Sequence, residues 1–173
     1  MFNKNTLIVA SAYSLLFIVA VCCAFYGMGG KYITHAYLLG ALCMLPFVFW
    51  VIWWQRQTVY GGTISGKNAV KEGMKFVVMV ILFLIIFQII FFEVSFKEYK
   101  INYIQNVGPQ TLKAQITAGK LKITEAQIPA EIANDVSNVT VFKEITAVVF
   151  KNIFFGAFSS FIAAVLLKRN NNG

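Results

Sequence analysis

Four stretches of this chain run without a charged residue: Thr6 to Tyr26, Tyr32 to Gln55, Phe76 to Phe92 and Asn152 to Leu167. A bilayer core about 30 Å thick is crossed by roughly 20 helical residues at 1.5 Å each, and hydrocarbon offers no partner to the backbone, so each crossing must satisfy its own polar groups. The first two stretches meet that length outright. The third and fourth continue through Val94–Phe96 and Ile145–Phe150, with Glu93 and Lys151 as the interruptions. The expected fold is an all-α membrane protein: four transmembrane helices over about 6–27, 32–55, 71–96 and 143–168, in an antiparallel bundle. A mostly helical extracytoplasmic loop, residues 97–142, joins helices 3 and 4. With 173 residues, of which 58% are hydrophobic and 13% charged, the chain holds more apolar surface than a soluble core uses and leaves little for a second domain.

The first apolar run is longer than a signal-peptide core and no A-x-A site follows it, so it is expected to be retained. Cys22, Cys23 and Cys43 lie inside apolar spans without metal-ligand spacing and read as buried thiols, with Cys22 or Cys23 able to approach Cys43 across neighbouring helices. Gly27-Met28-Gly29-Gly30-Lys31 is a turn short enough to make spans one and two antiparallel neighbours. Pro46 removes one helical hydrogen bond from span two and predicts a kink near Leu42 to Met44. Trp50, Trp53 and Trp54 then form an aromatic anchor at a membrane surface.

Lys4, Arg56, Lys67, Lys71, Lys75, Lys168 and Arg169 flank the spans on one side, while the short loop on the other side offers Lys31. The bias of Lys and Arg toward cytoplasmic loops therefore places both termini in the cytoplasm. It also explains the net charge of +8 better than nucleic acid does, because the cations gather at span ends, suited to lipid phosphates, and no basic-aromatic recognition motif appears.

Several motifs lose force on inspection. Gly61-Gly62-Thr63-Ile64-Ser65-Gly66-Lys67-Asn68 approaches a phosphate-binding loop, but Asn68 stands where magnesium needs Ser or Thr and a tryptophan-rich helix precedes it; nucleotide binding is not expected. Ser65 reads instead as the cap of the next helix, with Lys67, Lys71 and Lys75 along one face. Asn138-Val139-Thr140 matches a glycosylation acceptor, and Thr140 reads as the N-cap of span four. In the third loop, Gly108-Pro109 is expected to stop one helix and start another to Thr117, and Thr124-Glu125-Ala126-Gln127 has capping-box spacing for a further helix to about Val136.

Gly156, Ser160 and Ala164 recur at i, i+4 and i+8, a small-residue stripe for close helix packing, within the bundle or against a partner. Lys151 is a charge inside an apolar run, and counting outward from Lys75 and Lys168 puts it at the depth of Glu93; a Glu93–Lys151 pair is expected, with snorkelling of Lys151 to the outer surface or a contact with Glu144 as the competing reading. His35, the sole histidine, reads as an interfacial residue beside Tyr32 and Tyr37. With no second histidine, carboxylate pair or Ser-x-x-Lys within the spans, no catalytic, cofactor-binding or metal-binding residues are assigned.

Two close spans, then Tyr60-Gly61-Gly62-Thr63-Ile64-Ser65 with Ala69 and Gly73 opening span three, a polar loop, and a last span ending Phe161-Ile162-Ala163-Ala164-Val165-Leu166-Leu167-Lys168 resemble the bacterial membrane family catalogued as domain of unknown function 4199. The resemblance covers nearly the whole chain and implies an inner-membrane location; it carries no assigned activity, so it transfers no site. The expected role is a non-enzymatic accessory, anchoring or scaffold subunit of an envelope complex, partnered by the lipid bilayer and by another membrane protein or itself. A small transporter or channel subunit acting as an oligomer is the alternative. That reading looks to Gln88, Glu93, Lys151, Ser159 and Ser160 for a polar path.

Overall fold

The computed structural model describes residues 3–168, and within them every long element is helical. Helix α1, Lys4–Cys22, is capped by the Asn3 side chain, which accepts from the Asn5 amide at 3.2 Å. It ends in a π-helical turn, Cys23–Gly27. Gly29 and Gly30, at φ of 59° and 76°, occupy the left-handed region in the reversal that follows. Helix α2, Ile33–Thr58, passes through Pro46 without a break. Helix α3, Gly66–Phe91, starts where Ser65 Oγ accepts from the Asn68 amide at 3.3 Å, five residues before the expected onset of span three at residue 71.

From Gly66 the helical run continues to Thr117, through a second π-turn, Phe92–Phe96, and helix α4, Lys97–Thr117. The expected stop at Gly108-Pro109 is therefore corrected: α4 runs straight through it. Proline deletes one N–H, and the bond lost is the one to the carbonyl of Gln105, an exposed residue whose backbone is open to solvent as an alternative partner. A 3₁₀ turn, Glu125–Gln127, opens helix α5, Ile128–Ser137, and the Thr124 capping box is present, with the Thr124 amide donating to Gln127 Oε1 at 2.8 Å. Helix α6, Val141–Leu167, begins with Thr140 Oγ1 accepting from the Lys143 amide at 3.4 Å.

The chain divides into two compact units, one formed by Met1–Phe87 with Ala147–Gly173, the other by Gln88–Thr146. In the first, α1 buries Val9, Ala10, Tyr13, Phe17 and Val21, and α2 buries Ala41, Met44, Val48, Val51, Ile52 and Gln55, both at helical spacing. The opposite faces are apolar too: Leu15, Leu16, Leu39 and Leu42 are more than half exposed. Helix α6 is polarised the other way round from a soluble helix. It buries Asn152, Gly156, Ser159 and Ser160 and presents Phe150, Phe154, Phe158 and Phe161 outward. Four helical segments are long and apolar enough to cross a membrane, Lys4–Gly27, Ile33–Thr58, Gly66–Thr117 and Val141–Leu167. This is the pattern of a multi-pass membrane protein.

In the second unit α4 lies along α5, with Ile132 packed over the bare backbone of Gly108. The Lys100 ammonium binds the Glu144 carboxylate, and Lys113 meets Glu125 at 3.6 Å between exposed side chains.

Candidate functional site

The first unit gathers polar chemistry at the end where α1 starts and α2 finishes. Gln55, buried to 1% exposure in the last turns of α2, accepts from Asn3 Nδ2 at 3.1 Å and donates to Thr6 Oγ1 at 3.0 Å. Asn5 Nδ2 donates to Thr58 Oγ1 at 3.1 Å, so both partners of the seam lie on α1 and α2 alone. Beyond α2, the turn carries Gly61 and Gly62 at positive φ and returns Tyr60 over the start of α3. There the Tyr60 hydroxyl donates to Glu72 Oε1 at 3.1 Å and Lys75 Nζ to the same oxygen at 2.7 Å. Glu72 is a buried carboxylate, and a buried charge holds its place only when paired and hydrogen-bonded. Burial first, and then the Glu72 charge and its hydrogen bond, push the Tyr60 hydroxyl above its ordinary value. Arg56 Nη1 donates to the Leu167 carbonyl at 3.4 Å, a cation on the C-terminal end of α6.

At the other end of the same two helices the surface is recessed. A cleft of about 780 Å³ runs between α1 and α2 from Met28 and Tyr32 at the turn to Tyr13 and Phe47 near mid-helix. Small residues contribute to its lining, Ala20 on α1 and Ala24 in the π-turn that continues it, and Ala36 and Gly40 on α2, each pair at i, i+4. At Gly40 the helices come close: any side chain there would meet the Phe17 ring, and the Gly40 carbonyl accepts from the Tyr13 hydroxyl at 2.7 Å. Tyr13 is held in turn edge-on against Phe47 and Phe76, with centroids at 5.2 and 5.9 Å. The π-turn widens α1 where Cys23 and Ala24 join the wall.

The glycine-serine turn Tyr60–Ser65 thus has a structural task, and a family match covers residues 7–169, from the first span through the last. The chain belongs to the DUF4199 family. Its description is a protein of unknown function. No curated protein and no solved structure matches the chain.

Within this DUF4199 chain the expected site residues fall as follows. A methyl group on Gly156 would stand 2.7 Å from Val77 Cγ1 and 3.0 Å from Met44 Sδ; one on Gly73 would stand 2.8 Å from Ser160 Cβ. Ser160 donates to the Gly156 carbonyl at 2.7 Å, and Ala164, one turn further on, is buried too; at Gly156 and Ser160 the stripe on α6 is packed by α2 and α3 of its own chain. Lys67 and Lys71 are exposed, as is Lys168, whereas Arg56 and Lys75 meet protein groups rather than open solvent; Arg169 lies outside the described residues. Trp50 and Trp53 are nearly half exposed, and Trp50 stacks on Trp54 at 6.1 Å and 11°.

Glu93 meets Lys97 at 3.6 Å along its own helix, and Lys151 Nζ lies 6.0 Å from the Tyr37 ring centroid. One expectation is corrected. The cysteines are free and are not buried in the protein: Cys23 and Cys43 are exposed on the cleft, and Cys22 is half-buried. Gln55, Thr6, Glu72 and Asn152 form a buried polar set that no sequence motif marks; their one signal is that each is a polar residue within or at the edge of an apolar run.

Proposed function

We propose that this DUF4199 protein is a non-enzymatic subunit of the bacterial inner membrane that anchors or stabilises a partner in the envelope. Its four spans form an antiparallel bundle, with both termini in the cytoplasm and the α4–α5 region outside. One observation carries the reading: the buried polar side chains Gln55, Glu72 and Ser160 of the first unit are hydrogen-bonded within the protein. Gln55 ties α2 to the start of α1, Glu72 is bonded by Tyr60 and Lys75, and Ser160 binds its own helix while seating Gly73. Helix α6 then turns a ridge of Phe150, Phe154, Phe158 and Phe161 outward, each around 60–75% exposed, as a surface for a neighbouring membrane helix.

Affinity purification in mild detergent tests this. A membrane protein in fixed stoichiometry with the wild type, and lost from a Phe154→Ala/Phe158→Ala variant, is the expected result; repeated recovery of the chain alone overturns the reading.

A second reading, a small transporter or channel subunit, draws on Ser14 Oγ and Asn152 Oδ1, which are buried without a hydrogen-bond partner. Solute or ion flux into liposomes carrying the purified chain separates the two.

A further inference from the structure

The cleft between α1 and α2 has a length, a lining and a charged end that together specify an occupant. From Tyr32 to Phe47 it follows fifteen residues of α2, about 22 Å at 1.5 Å per residue, which covers the roughly 15 Å depth of one leaflet and reaches into its interface. Along that depth the walls are alanine, glycine, leucine, cysteine and aromatic rings, suited to a hydrocarbon chain and recessed below the surrounding helix surface. At the interfacial end the lining changes to Tyr32 and His35, and Lys31 stands beside them, exposed, with its Nζ 5.6 Å from the Tyr32 ring centroid. Residues 1–71 contain no Asp or Glu, so Lys31 has no acidic competitor anywhere on this helical hairpin. An apolar chain continuous with an anionic head satisfies both ends at once.

We propose that this cleft is a binding site for one anionic phospholipid of the leaflet on the Gly27–Lys31 side, one acyl chain lying over Ala20, Ala36 and Gly40 and the headgroup phosphate held by Lys31. The site is distinct from the Phe ridge on α6 and stands whether or not a partner protein binds there.

Native mass spectrometry of the purified, delipidated full chain, titrated with phosphatidylglycerol or phosphatidylcholine, tests it. One phosphatidylglycerol per chain is expected, preferred over phosphatidylcholine by roughly fivefold, the effect of one interfacial lysine. Lys31→Gln removes that preference while an acyl chain is still retained. Ala20→Trp, which fills the cleft from an exposed position, loses both lipids with its detergent melting temperature unchanged. Equal retention of the two lipids by the wild type overturns the headgroup assignment, and full retention by Ala20→Trp overturns the site. A chain that instead carries a second copy, released by Ala20→Trp, shows the cleft to be a protein interface and sinks the proposal.

Discussion

Gly73 and Ser160 show how little slack a membrane bundle leaves at a single residue. With Ser160 fully buried and its Cβ placed 2.8 Å from where a methyl on Gly73 would sit, Gly73→Ala forces backbone or side chain apart, at about 1–3 kcal/mol. Unfolding in mixed detergent should register that loss, Ser160→Ala should restore part of it in the double variant, and Gly66→Ala, with open space around it, should change little. Tyr60 makes a prediction in pH. Because its hydroxyl is held above the ordinary value, the folded chain keeps the phenolic proton longer than the unfolded one. That contribution is complete below about pH 10 and fades as pH rises through the folded value. Tyr60→Phe should therefore show a shallower fall in stability at high pH than the wild type, the lysines being common to both; parallel curves would remove Tyr60 from the account.

Among the elements, α1 and α2 are joined at one end by Gln55 and near the middle by Tyr13 on the Gly40 carbonyl. Gln55→Ala leaves Asn3 and Thr6 without their partners and should cost about 2 kcal/mol, whereas Gln57→Ala, one residue past the half-buried Arg56 and exposed, should stay within about 0.5 kcal/mol in the same unfolding assay. The spans were legible because a bilayer imposes length and apolarity on a contiguous run, and the caps because Ser65, Thr124 and Thr140 act on their own neighbours. Pro109 misled because its effect depends on what replaces one hydrogen bond at exposed Gln105. The π-turns carried no recognised composition. The cleft needed two sequence-distant pairs, Ala20–Ala24 and Ala36–Gly40, to be read together.

For the whole molecule, the cation bias and the helix order make a topology prediction. In a background with the three native cysteines changed to serine, Gln110→Cys should react with a membrane-impermeant maleimide in intact cells. Lys71→Cys and Lys168→Cys should react only after permeabilisation; the reverse pattern would invert the chain. Two compact units also make unfolding as one transition something to be measured rather than assumed. The stacked tryptophans decide how. All three indoles of the chain fall between residues 50 and 54, in the first unit, so selectively excited tryptophan emission is a local gauge of the last turns of α2 and is blind to residues 88–146. Emission and far-ultraviolet dichroism that melt together describe one cooperative body; a dichroic change that emission misses belongs to the other unit.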